Sequence, residues 1–384
     1  MRIPYRLPLW VVVLIGLLWP CGITVAWASE EAPPKVRGTA GVLGDLDSGR
    51  VLYTQDADTR LPPASLTKVM TLYLIYEALA AGTIQLDTEL PVSENAWRTG
   101  GSKTFVKVND RVRVEDLIRG IAIQSGNDAC VVMAEHLSGS ESAFVALMNA
   151  KAGELGMTNT HFTNATGLPD PEHYTSARDL FTLASALMRK FPQYSHYSQE
   201  KQFTYNNIRQ LNRNNLLWRD PIVTGLKTGH TREAGYCLVA TSDKEGQRMG
   251  AVVLGATTRK NREDDALRLI QYGNKMYETV KYFDARASVR KLRVWKGDAR
   301  EVDGIVQEPL LVTVSRKERS ALEVGVTYDE PLVAPIAAGQ KIGTVVVKAG
   351  GKDLFTRDLV AGAAVERGNI FRVMLDALRM TVGW

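Results

Sequence analysis

The chain has 384 residues, of which 45% are hydrophobic and 23% charged, as in ordinary globular proteins, and its length predicts two domains. Its net charge of +5 comes from lysines and arginines spread along the chain, without a basic stripe interleaved with aromatics, so nucleic acid is not an expected partner. Five histidines and three cysteines, none at metal-ligand spacing, disfavour a zinc hydrolase, and we expect no metal and no other cofactor.

The first 28 residues have the pattern of a secretory signal peptide. Arg2 and Arg6 give a positive start, Leu9–Leu18 is an apolar run, and Ala26–Ala28 offers a small-residue cleavage site. The apolar run is shorter than the ~20 residues that a spanning helix needs, which disfavours the alternative of an uncleaved membrane anchor. Residues 1–28 therefore predict export from the cytoplasm.

Two cysteines remain after the signal peptide, which removes Cys21. Cys130 and Cys237 both lie in apolar segments, so we expect two buried free thiols. An oxidising compartment would also permit a disulfide between them, and the sequence does not supply the geometry that would decide this.

Residues 35–284 alternate between helix and strand patterns. A strand hairpin is predicted at Ala40–Leu46 and Val51–Thr54. Further strands are predicted at Tyr236–Thr241 and Met249–Gly255, and helices at Ser65–Ala81, Val114–Ile123, Asp128–Leu137, Ser142–Leu155, Ala177–Met188 and Asp264–Val280. Strands at both ends of a helical middle predict an α/β domain, in which one mixed sheet is covered by helices.

The pattern changes near Ala285. Residues 285–363 contain short alternating apolar runs punctuated by Gly, Pro and Asp, at Leu292–Val294, Leu310–Val314, Leu322–Val326 and Ile342–Val347. This predicts a second, small all-β sandwich domain. It holds no concentration of catalytic residue types, so we interpret it as a spacer or interaction domain.

Residues 364–384 predict a C-terminal amphipathic helix. Asn369, Arg372, Asp376 and Arg379 fall on one face, and Phe371, Met374, Leu375, Leu378 and Val382 fall on the other. Charges interrupt any spanning run, so we expect a helix lying in the plane of a membrane surface, with Trp384 at the lipid interface. A helix packed on its own protein is the alternative.

The segment Pro62–Lys68 places Ser65 and Lys68 three residues apart at a predicted helix start, so both project from one face. The positive end of a helix lowers the pKa of a lysine, and such a lysine beside a serine hydroxyl makes an activated nucleophile. Serine at a helix start is more often a plain cap, so this motif alone is weak.

A second motif, Ser125-Gly126-Asn127, lies in the turn between two predicted helices. Such a turn can aim side chains into a cleft, where Ser125 could relay a proton and Asn127 could bond a substrate amide. Alone, it is an ordinary turn tripeptide.

A third motif, Lys227–Thr231, has the character of an edge strand before a turn. An edge strand can accept a substrate as an added strand, and Gly229 permits a close approach of the backbone. Lys227, with the hydroxyls of Thr228 and Thr231, suits a substrate that ends in a carboxylate. Alone, this segment is more often a plain hairpin.

Together and in this order, the three motifs are the signature of penicillin-binding proteins and class A β-lactamases. The chain resembles the low-molecular-mass penicillin-binding proteins, the D-alanyl-D-alanine carboxypeptidase family of serine peptidases, and in particular the type of penicillin-binding proteins 5 and 6. The resemblance covers almost all of the mature chain, including the β domain and the terminal helix. It is carried by Pro63–Lys68, Leu117–Gly120, Gln124–Cys130, Asn159–Phe162, Ser176–Asp179 and Arg209–Asn214.

The resemblance implies a mechanism at the matching positions. Ser65 would attack the carbonyl between the last two D-alanines of a peptidoglycan stem peptide, and Lys68 would take its proton. Ser125, close to Lys68 and Lys227, would pass protons to the leaving amine. The backbone N–H groups of Ser65 and His230 would form the oxyanion hole.

The resemblance also implies partners and a location. Binding of the stem peptide would fall to Asn127, Lys227, Thr228, Gly229, His230 and Thr231, with Arg213 either in a supporting role or in a plain surface salt bridge. β-Lactam antibiotics would acylate the same serine. The enzyme would lie on the periplasmic face of the bacterial inner membrane, held to the membrane surface by its last helix.

One departure and two alternatives remain. Residues 99–112 look shorter than the matching loop of the family and are expected to border the cleft. A β-lactamase is disfavoured because no glutamate between the second and third motifs is followed by Leu-Asn at the required spacing. A non-catalytic muropeptide-binding protein is disfavoured because all three motifs are intact. Endopeptidase or transpeptidase activity on cross-linked peptides stays open as a side reaction.

Overall fold

The computed structural model describes residues 32–382. The predicted signal peptide, Cys21 and Trp384 lie outside the described residues. Ten helices span, in chain order, Lys68–Ala80 (α1), Glu94–Arg98 (α2), Val114–Arg119 (α3), Asn127–Ser138 (α4), Glu141–Glu154 (α5), Ala177–Lys190 (α6), His196–Gln199 (α7), Leu216–Arg219 (α8), Arg259–Met276 (α9) and Ile370–Val382 (α10) within this part of the chain.

The strands of the first part of the chain are Ala40–Asp45 (β1), Val51–Gln55 (β2), Glu89–Pro91 (β3), Arg111–Arg113 (β4), Gln202–Tyr205 (β5), Ile208–Leu211 (β6), Val223–Thr231 (β7), Gly235–Lys244 (β8) and Gln247–Ala256 (β9). Those that follow α9 are Tyr277–Phe283 (β10), Ser288–Trp295 (β11), Glu301–Ile305 (β12), Leu310–Ser315 (β13), Leu322–Tyr328 (β14), Leu332–Val333 (β15), Lys341–Ala349 (β16) and Lys352–Ala361 (β17).

A five-stranded antiparallel sheet in the order β2-β1-β9-β8-β7 forms the centre of the first, α/β part of the chain. Successive side chains of a strand point to opposite faces, and β9 follows this rule. Ala251 and Val253 pack with Leu269 and Ile270 of α9, while Val252 and Leu254 join the larger core formed with α1, α4 and α6. The sheet is therefore covered by helices on both faces, which confirms the predicted α/β fold class, although its strands are all antiparallel and not mixed in direction. Strand β7 is left at the edge.

The second part of the chain is β-rich, as predicted. A six-stranded sheet in the order β14-β16-β17-β12-β11-β15 and the two-stranded sheet β10-β13 share one apolar core. Val312 and Val314 from the small sheet pack in that core with Val345 and Val347 from the large one. The domain boundaries at 285 and 363 stay predictions.

One predicted element is wrong. The helix expected at Asp264–Val280 runs instead from Arg259 to Met276, and Tyr277–Phe283 forms β10. This strand pairs with β13, more than 30 residues further along the chain, with Val280 opposite Val312. A local pattern does not contain that pairing, which overrides the helical periodicity of the preceding residues.

A buried polar network joins the two parts of the chain. The carboxylate of Asp45, fully buried at the end of β1, accepts hydrogen bonds from the Ser48 hydroxyl at 2.8 Å and from the Thr279 hydroxyl at 2.7 Å. Ser48 and Thr279 also lie 2.6 Å and 2.9 Å from the hydroxyl of Thr313 on β13. Because buried polar groups are costly to separate from their partners, this network fixes the β-rich part to the catalytic sheet.

The last helix packs on its own protein through its polar face. The carboxylate of Asp376, 7% exposed, accepts from the backbone N–H of Lys296, and the Arg372 guanidinium donates to the carbonyl of Asp298. The opposite face is open to solvent at Ile370, Phe371, Met374, Leu375 and Leu378. No helix between residues 32 and 382 is both long and apolar enough to cross a bilayer.

The helix starts later than predicted, at Ile370 rather than Ala364. Val365 is buried in the β-rich core and is bridged to Ile336, so the residues before Ile370 still belong to the β-rich part.

Candidate active site

Ser65 lies in a 3₁₀ turn, Ala64–Thr67, that leads directly into α1. Lys68 is the first residue of α1, and its Nζ donates to Ser65 Oγ at 3.1 Å, so the pairing predicted from spacing is present. Ala64 has a φ of +48°, a left-handed conformation that is strained for a residue with a side chain. Ser65, the predicted nucleophile, is thus held next to a strained peptide unit.

A loop from Thr163 to Tyr174 holds this turn in place. A Cβ on Gly167 would lie 1.8 Å from the carbonyl oxygen of Ala64, so only glycine fits there. The backbone N–H of Thr163 donates to Nδ1 of the buried His173, which places the ring proton on Nε2, 2.8 Å from the hydroxyl of Thr67. That hydroxyl donates in turn to the Ala64 carbonyl at 2.9 Å.

Burial lowers the pKa of His173 to about 4, so its ring stays neutral at neutral pH and keeps this tautomer. His173 touches no reacting group of the predicted mechanism; it positions the turn that carries Ser65. Sequence reasoning missed it, because a single histidine outside a motif gives no signal.

Lys68 is completely buried, and its Nζ also donates to the carbonyl of Thr166 at 2.5 Å. Burial lowers its pKa to about 8, the charge of Arg213 lowers it further, and Asp128 opposes the shift. The predicted direction is confirmed, but the cause differs: desolvation, not the helix terminus, is the main contribution.

The carbonyl that receives Lys68 is fixed by one asparagine that sequence reasoning missed. Asn164 Oδ1 accepts from the backbone N–H groups of Thr166 at 3.1 Å, Gly167 at 2.7 Å and Leu168 at 3.1 Å. This is the side-chain-to-backbone bonding that asparagine makes in turns. The Asn-Ala-Thr-Gly sequence at 164–167 is the turn signal that could have located it.

The second motif directly follows a π-helical turn, Gly120–Gln124. Ser125 follows with a φ of +68°, and its buried Oγ has no hydrogen-bond partner among the described residues. Such an unsatisfied group needs an explanation, and a role in proton transfer supplies one. Asn127 donates from Nδ2 to the Gly100 carbonyl and from its backbone N–H to the Ser102 carbonyl, both at 2.7 Å, so residues 99–112 border the cleft as expected.

The third motif is on the edge strand β7, as predicted. The ammonium of Lys227 is buried and donates to the Thr228 carbonyl at 3.1 Å, and burial, then Lys68 and Arg213, hold its pKa well below its usual range. A Cβ on Gly229 would lie 3.0 Å from the Pro63 carbonyl, so β7 packs closely against the turn of Ser65. The His230 ring stacks on Tyr236 with centroids 4.1 Å apart.

These segments enclose a cavity of about 730 Å³. It is lined by Ser65, Ser102, Ser125, Leu211, Asn212, Arg213, Asn215, Trp218, Thr228, Gly229, His230, Tyr236, Arg259 and Arg262. Lys68, Asn127 and Lys227 are not among the lining residues, since their side chains are buried in the wall. Thr231 lines a neighbouring cavity of about 480 Å³, and its hydroxyl accepts from the Ala234 N–H.

The catalytic cavity is positive. Arg213, Arg259 and Arg262 line it, and no aspartate or glutamate does within the part of the chain that the structure describes. Arg213 donates to the Gln124 carbonyl at 2.9 Å and makes no salt bridge to any described carboxylate, so the alternative of a plain surface salt bridge is wrong. Sequence reasoning missed Arg259 and Arg262, which stand on a helix with no recognisable motif.

Cys130 and Cys237 are both buried and free, as predicted. Burial raises the pKa of the Cys130 thiol to about 12, so this group is a neutral neighbour of the two buried lysines. No three or more potential metal-ligating side chains converge anywhere within residues 32–382.

Comparisons with known proteins match both parts of the chain. Residues 27–258 match the family described as D-alanyl-D-alanine carboxypeptidase, and residues 277–367 match the C-terminal domain of penicillin-binding protein 5. The D-alanyl-D-alanine carboxypeptidase DacC of Escherichia coli is 40% identical over 365 residues, 92% of this chain and 91% of the relative. DacF of Bacillus subtilis is 39% identical over 351 residues, 90% of this chain and 89% of the relative.

Solved structures are similar as well. Penicillin-binding protein 5 from Haemophilus influenzae superposes with a TM-score of 0.81 at 38% identity, covering 88% of this chain and 100% of the other. Penicillin-binding protein D2 from Listeria monocytogenes, in its ampicillin-bound form, has a TM-score of 0.58 at 31% identity and covers 63% of this chain and 100% of its own.

The packing of Gly126 gives a first testable prediction. A Cβ at this position would lie 2.0 Å from the hydroxyl and 2.9 Å from the backbone nitrogen of Thr104. Gly126→Ala should therefore destabilise the fold by about 1–3 kcal/mol, measured as a lower urea midpoint. Gly153→Ala on α5, where a Cβ meets nothing within 4 Å, is the control and should not lower the midpoint. Equal midpoints for the two variants would contradict the close approach.

Proposed function

The chain belongs to the D-alanyl-D-alanine carboxypeptidase family of serine peptidases, and on this premise we propose that Ser65 is its nucleophile, Lys68 its general base and Ser125 its proton relay. The enzyme is a serine-type D-Ala-D-Ala carboxypeptidase. The observation that carries the assignment is the 3.1 Å contact between Lys68 Nζ and Ser65 Oγ at the wall of the cavity. A serine hydroxyl that faces a cavity and lies within hydrogen-bond reach of a base is the arrangement that nucleophilic catalysis requires.

Acylation begins with a neutral Lys68. With a pKa of about 8, about a tenth of the molecules carry the free amine at pH 7. That amine takes the proton of Ser65 as Oγ attacks the carbonyl between the two terminal D-alanines. The backbone N–H groups of Ser65 and His230 stabilise the oxyanion. The proton then passes through Ser125, whose buried Oγ is uncommitted in the resting site, to the amine of the departing D-alanine.

Substrate binding follows from the charge of the cavity. The terminal carboxylate of the stem peptide lies towards Thr228, Lys227 and Arg213, in a cavity that three arginines line and that no aspartate or glutamate lines among the described residues. The peptide adds along β7 as an extra strand, with Gly229 and His230 against its backbone. Asn127, already bonded to the Gly100 carbonyl, contacts a substrate amide, and Thr231 contacts the substrate from the neighbouring cavity.

The lining also favours a carboxypeptidase over a β-lactamase. A class A β-lactamase uses a glutamate and a bound water to deacylate the serine. No carboxylate lines the catalytic cavity in the described part of the chain, so the glutamate that activates this water in a class A β-lactamase has no counterpart there. With a peptide substrate, D-alanine departs and leaves room for water at the acyl carbon.

We also propose that α10 holds the enzyme on the outer face of the inner membrane after removal of residues 1–28. What supports this is the outward apolar face: Phe371 is 81% exposed, and Met374 and Leu378 are exposed beside it. An isolated helix of 13 residues is marginal in water, but this one is docked through Asp376 and Arg372 and is ready to meet lipid. Its outward face suits the shallow burial of an interfacial helix.

Ser65→Ala tests the nucleophile. In the unmodified enzyme, a benzylpenicillin pulse should leave an adduct on Ser65 that outlives the peptide acyl-enzyme by orders of magnitude, because the leaving group stays tethered; each tenfold corresponds to about 1.4 kcal/mol of barrier. Intact-protein mass spectrometry over time, run beside peptide turnover, measures both. Ser65→Ala should show no adduct and no release of D-alanine, whereas Ser102→Ala, in the same cavity, should still be labelled. An adduct that clears as fast as the peptide turns over would instead indicate a β-lactamase.

Lys68 predicts a specific pH dependence. The reactive form is the neutral amine, so kcat/KM on a D-Ala-D-Ala pentapeptide should fall about tenfold per pH unit below a pKa of about 8. Lys68→Arg keeps the charge but cannot supply a base, and its activity should drop to near zero at every pH. Lys260→Arg, on the exposed surface of α9, should keep the normal profile. An active Lys68→Arg enzyme would reduce Lys68 to an electrostatic anchor.

The exposed face of α10 predicts membrane binding. Replacing Phe371 and Leu378 together by Asn should abolish flotation with anionic phospholipid vesicles while carboxypeptidase activity on a free peptide is retained. Ending the chain after Asn369, which leaves Val365 in the β-rich core, should have the same effect. Val324→Asn, a change of an exposed apolar side chain elsewhere on the β-rich part, is the control and should still float. Vesicle binding that survives the double substitution would exclude this face as the anchor.

A further inference from the structure

A second concave surface lies beside the catalytic cavity, and no part of the mechanism uses it. It encloses about 590 Å³, and three of its lining side chains are large, apolar and unusually exposed: Trp97 (43%), Phe105 (44%) and Ile208 (40%). We call this surface the rim groove. Clustered exposed apolar side chains of this kind mark interaction sites rather than chance exposure.

One of these exposed side chains, Phe105, is carried by a strained backbone. Phe105 has a φ of +69°, a conformation that residues with large side chains rarely adopt. The buried carboxylate of Asp128 accepts from the backbone N–H groups of Thr104 at 2.8 Å, Phe105 at 2.9 Å and Val106 at 3.3 Å, and so maintains this geometry. Strain that a buried charge stabilises in order to present a phenyl ring to solvent points to a use for that ring.

Two segments of the chain contribute side chains both to the catalytic cavity and to the rim groove. In the loop after α2, Ser102 lines the cavity and the next residue, Lys103, lines the groove. On β6, Leu211 lines the cavity and Ile208 lines the groove. The loop and hairpin are also bonded to each other, since Asn206 Nδ2 donates to the Phe105 carbonyl at 3.0 Å. The catalytic cavity and the rim groove therefore share the loop after α2 and the strand β6 as neighbouring walls.

The lining chemistry fits a sugar polymer. Trp97 and Phe105 offer aromatic surfaces on which the C–H faces of sugar rings can pack, and Asn206, Lys103 and Lys107 offer hydrogen bonds to hydroxyl and acetamido groups. No aspartate or glutamate lines the groove among the described residues. We propose that the rim groove binds the glycan strand of peptidoglycan while the stem peptide attached to that strand occupies the cavity. This inference rests on the proposed function, since it extends the substrate of the same site.

Paired substrates test the inference. One is a free pentapeptide ending in D-Ala-D-Ala, and the other is the same peptide attached to an oligomeric peptidoglycan glycan. Trp97→Ala and Phe105→Asn, the latter chosen because asparagine tolerates the left-handed conformation, should each lose about tenfold in kcat/KM on the glycan-linked substrate. Both should keep kcat/KM on the free peptide within about twofold. Leu147→Ala, an equally exposed apolar residue on α5 outside the groove, is the control and should change neither value.

A binding measurement separates this inference from the proposed function. Ser65→Ala enzyme should co-sediment with glycan strands stripped of their stem peptides, and the added Trp97→Ala change should weaken that binding. This binding measurement needs no turnover. An unmodified enzyme that is inactive on both substrates would overturn the proposed function, and the glycan-binding result would then decide the inference by itself. Equal losses on both substrates, or no loss on either, would overturn the glycan site. A groove variant that keeps glycan binding but loses vesicle flotation would overturn it in favour of a lipid surface.

Discussion

Two buried lysines without a carboxylate partner are the constraint on which the catalytic site depends. Lys68 and Lys227 form no salt bridge with any described residue, yet both side chains are removed from water. An ammonium in such surroundings either finds hydrogen bonds or gives up its proton. Here both occur, since carbonyl groups receive the two Nζ atoms and the pKa of each group falls. The lowered pKa that the proposed role of Lys68 as a base requires therefore follows from burial, without a carboxylate beside the lysine.

Because no described carboxylate forms a salt bridge with these two lysines, the site depends on the positions of backbone groups. The Thr166 carbonyl has to point at Lys68, and Asn164 fixes it there. The turn of Ser65 has to approach the loop at Gly167, and the turn of Ser125 has to approach Thr104 at Gly126. At both glycines a methyl group would overlap a neighbouring oxygen. The site is therefore assembled by close contact between loops, of which one is held by hydrogen bonds to the Asn164 amide and the other by hydrogen bonds to the Asp128 carboxylate.

The sequence predicted most strongly what local spacing determines. Ser65 and Lys68 meet because a turn of helix brings residues three apart together, and β7 was identifiable from its composition and turn. The features that the sequence analysis missed or predicted wrongly depend on contacts between residues far apart in the chain. Tyr277–Phe283 became a strand through pairing with β13, and Arg259 and Arg262 reached the cavity through the packing of α9 on the sheet. The cause of the Lys68 pKa shift was misjudged for the same reason, since burial is set by the whole core and cannot be read from position in a helix.

The packing of α10 through its polar face, with the apolar face outward, bears on where the proposed membrane-bound enzyme would act. Its charged face is bonded to the β-rich part, and that part is joined to the catalytic sheet through Asp45, Thr279 and Thr313. In a molecule bound to lipid through this helix, as proposed, the β-rich part sets the distance between the membrane surface and the catalytic cleft. Under the proposed attachment, the distance from the membrane at which peptidoglycan can reach the cleft is set by the dimensions of the protein.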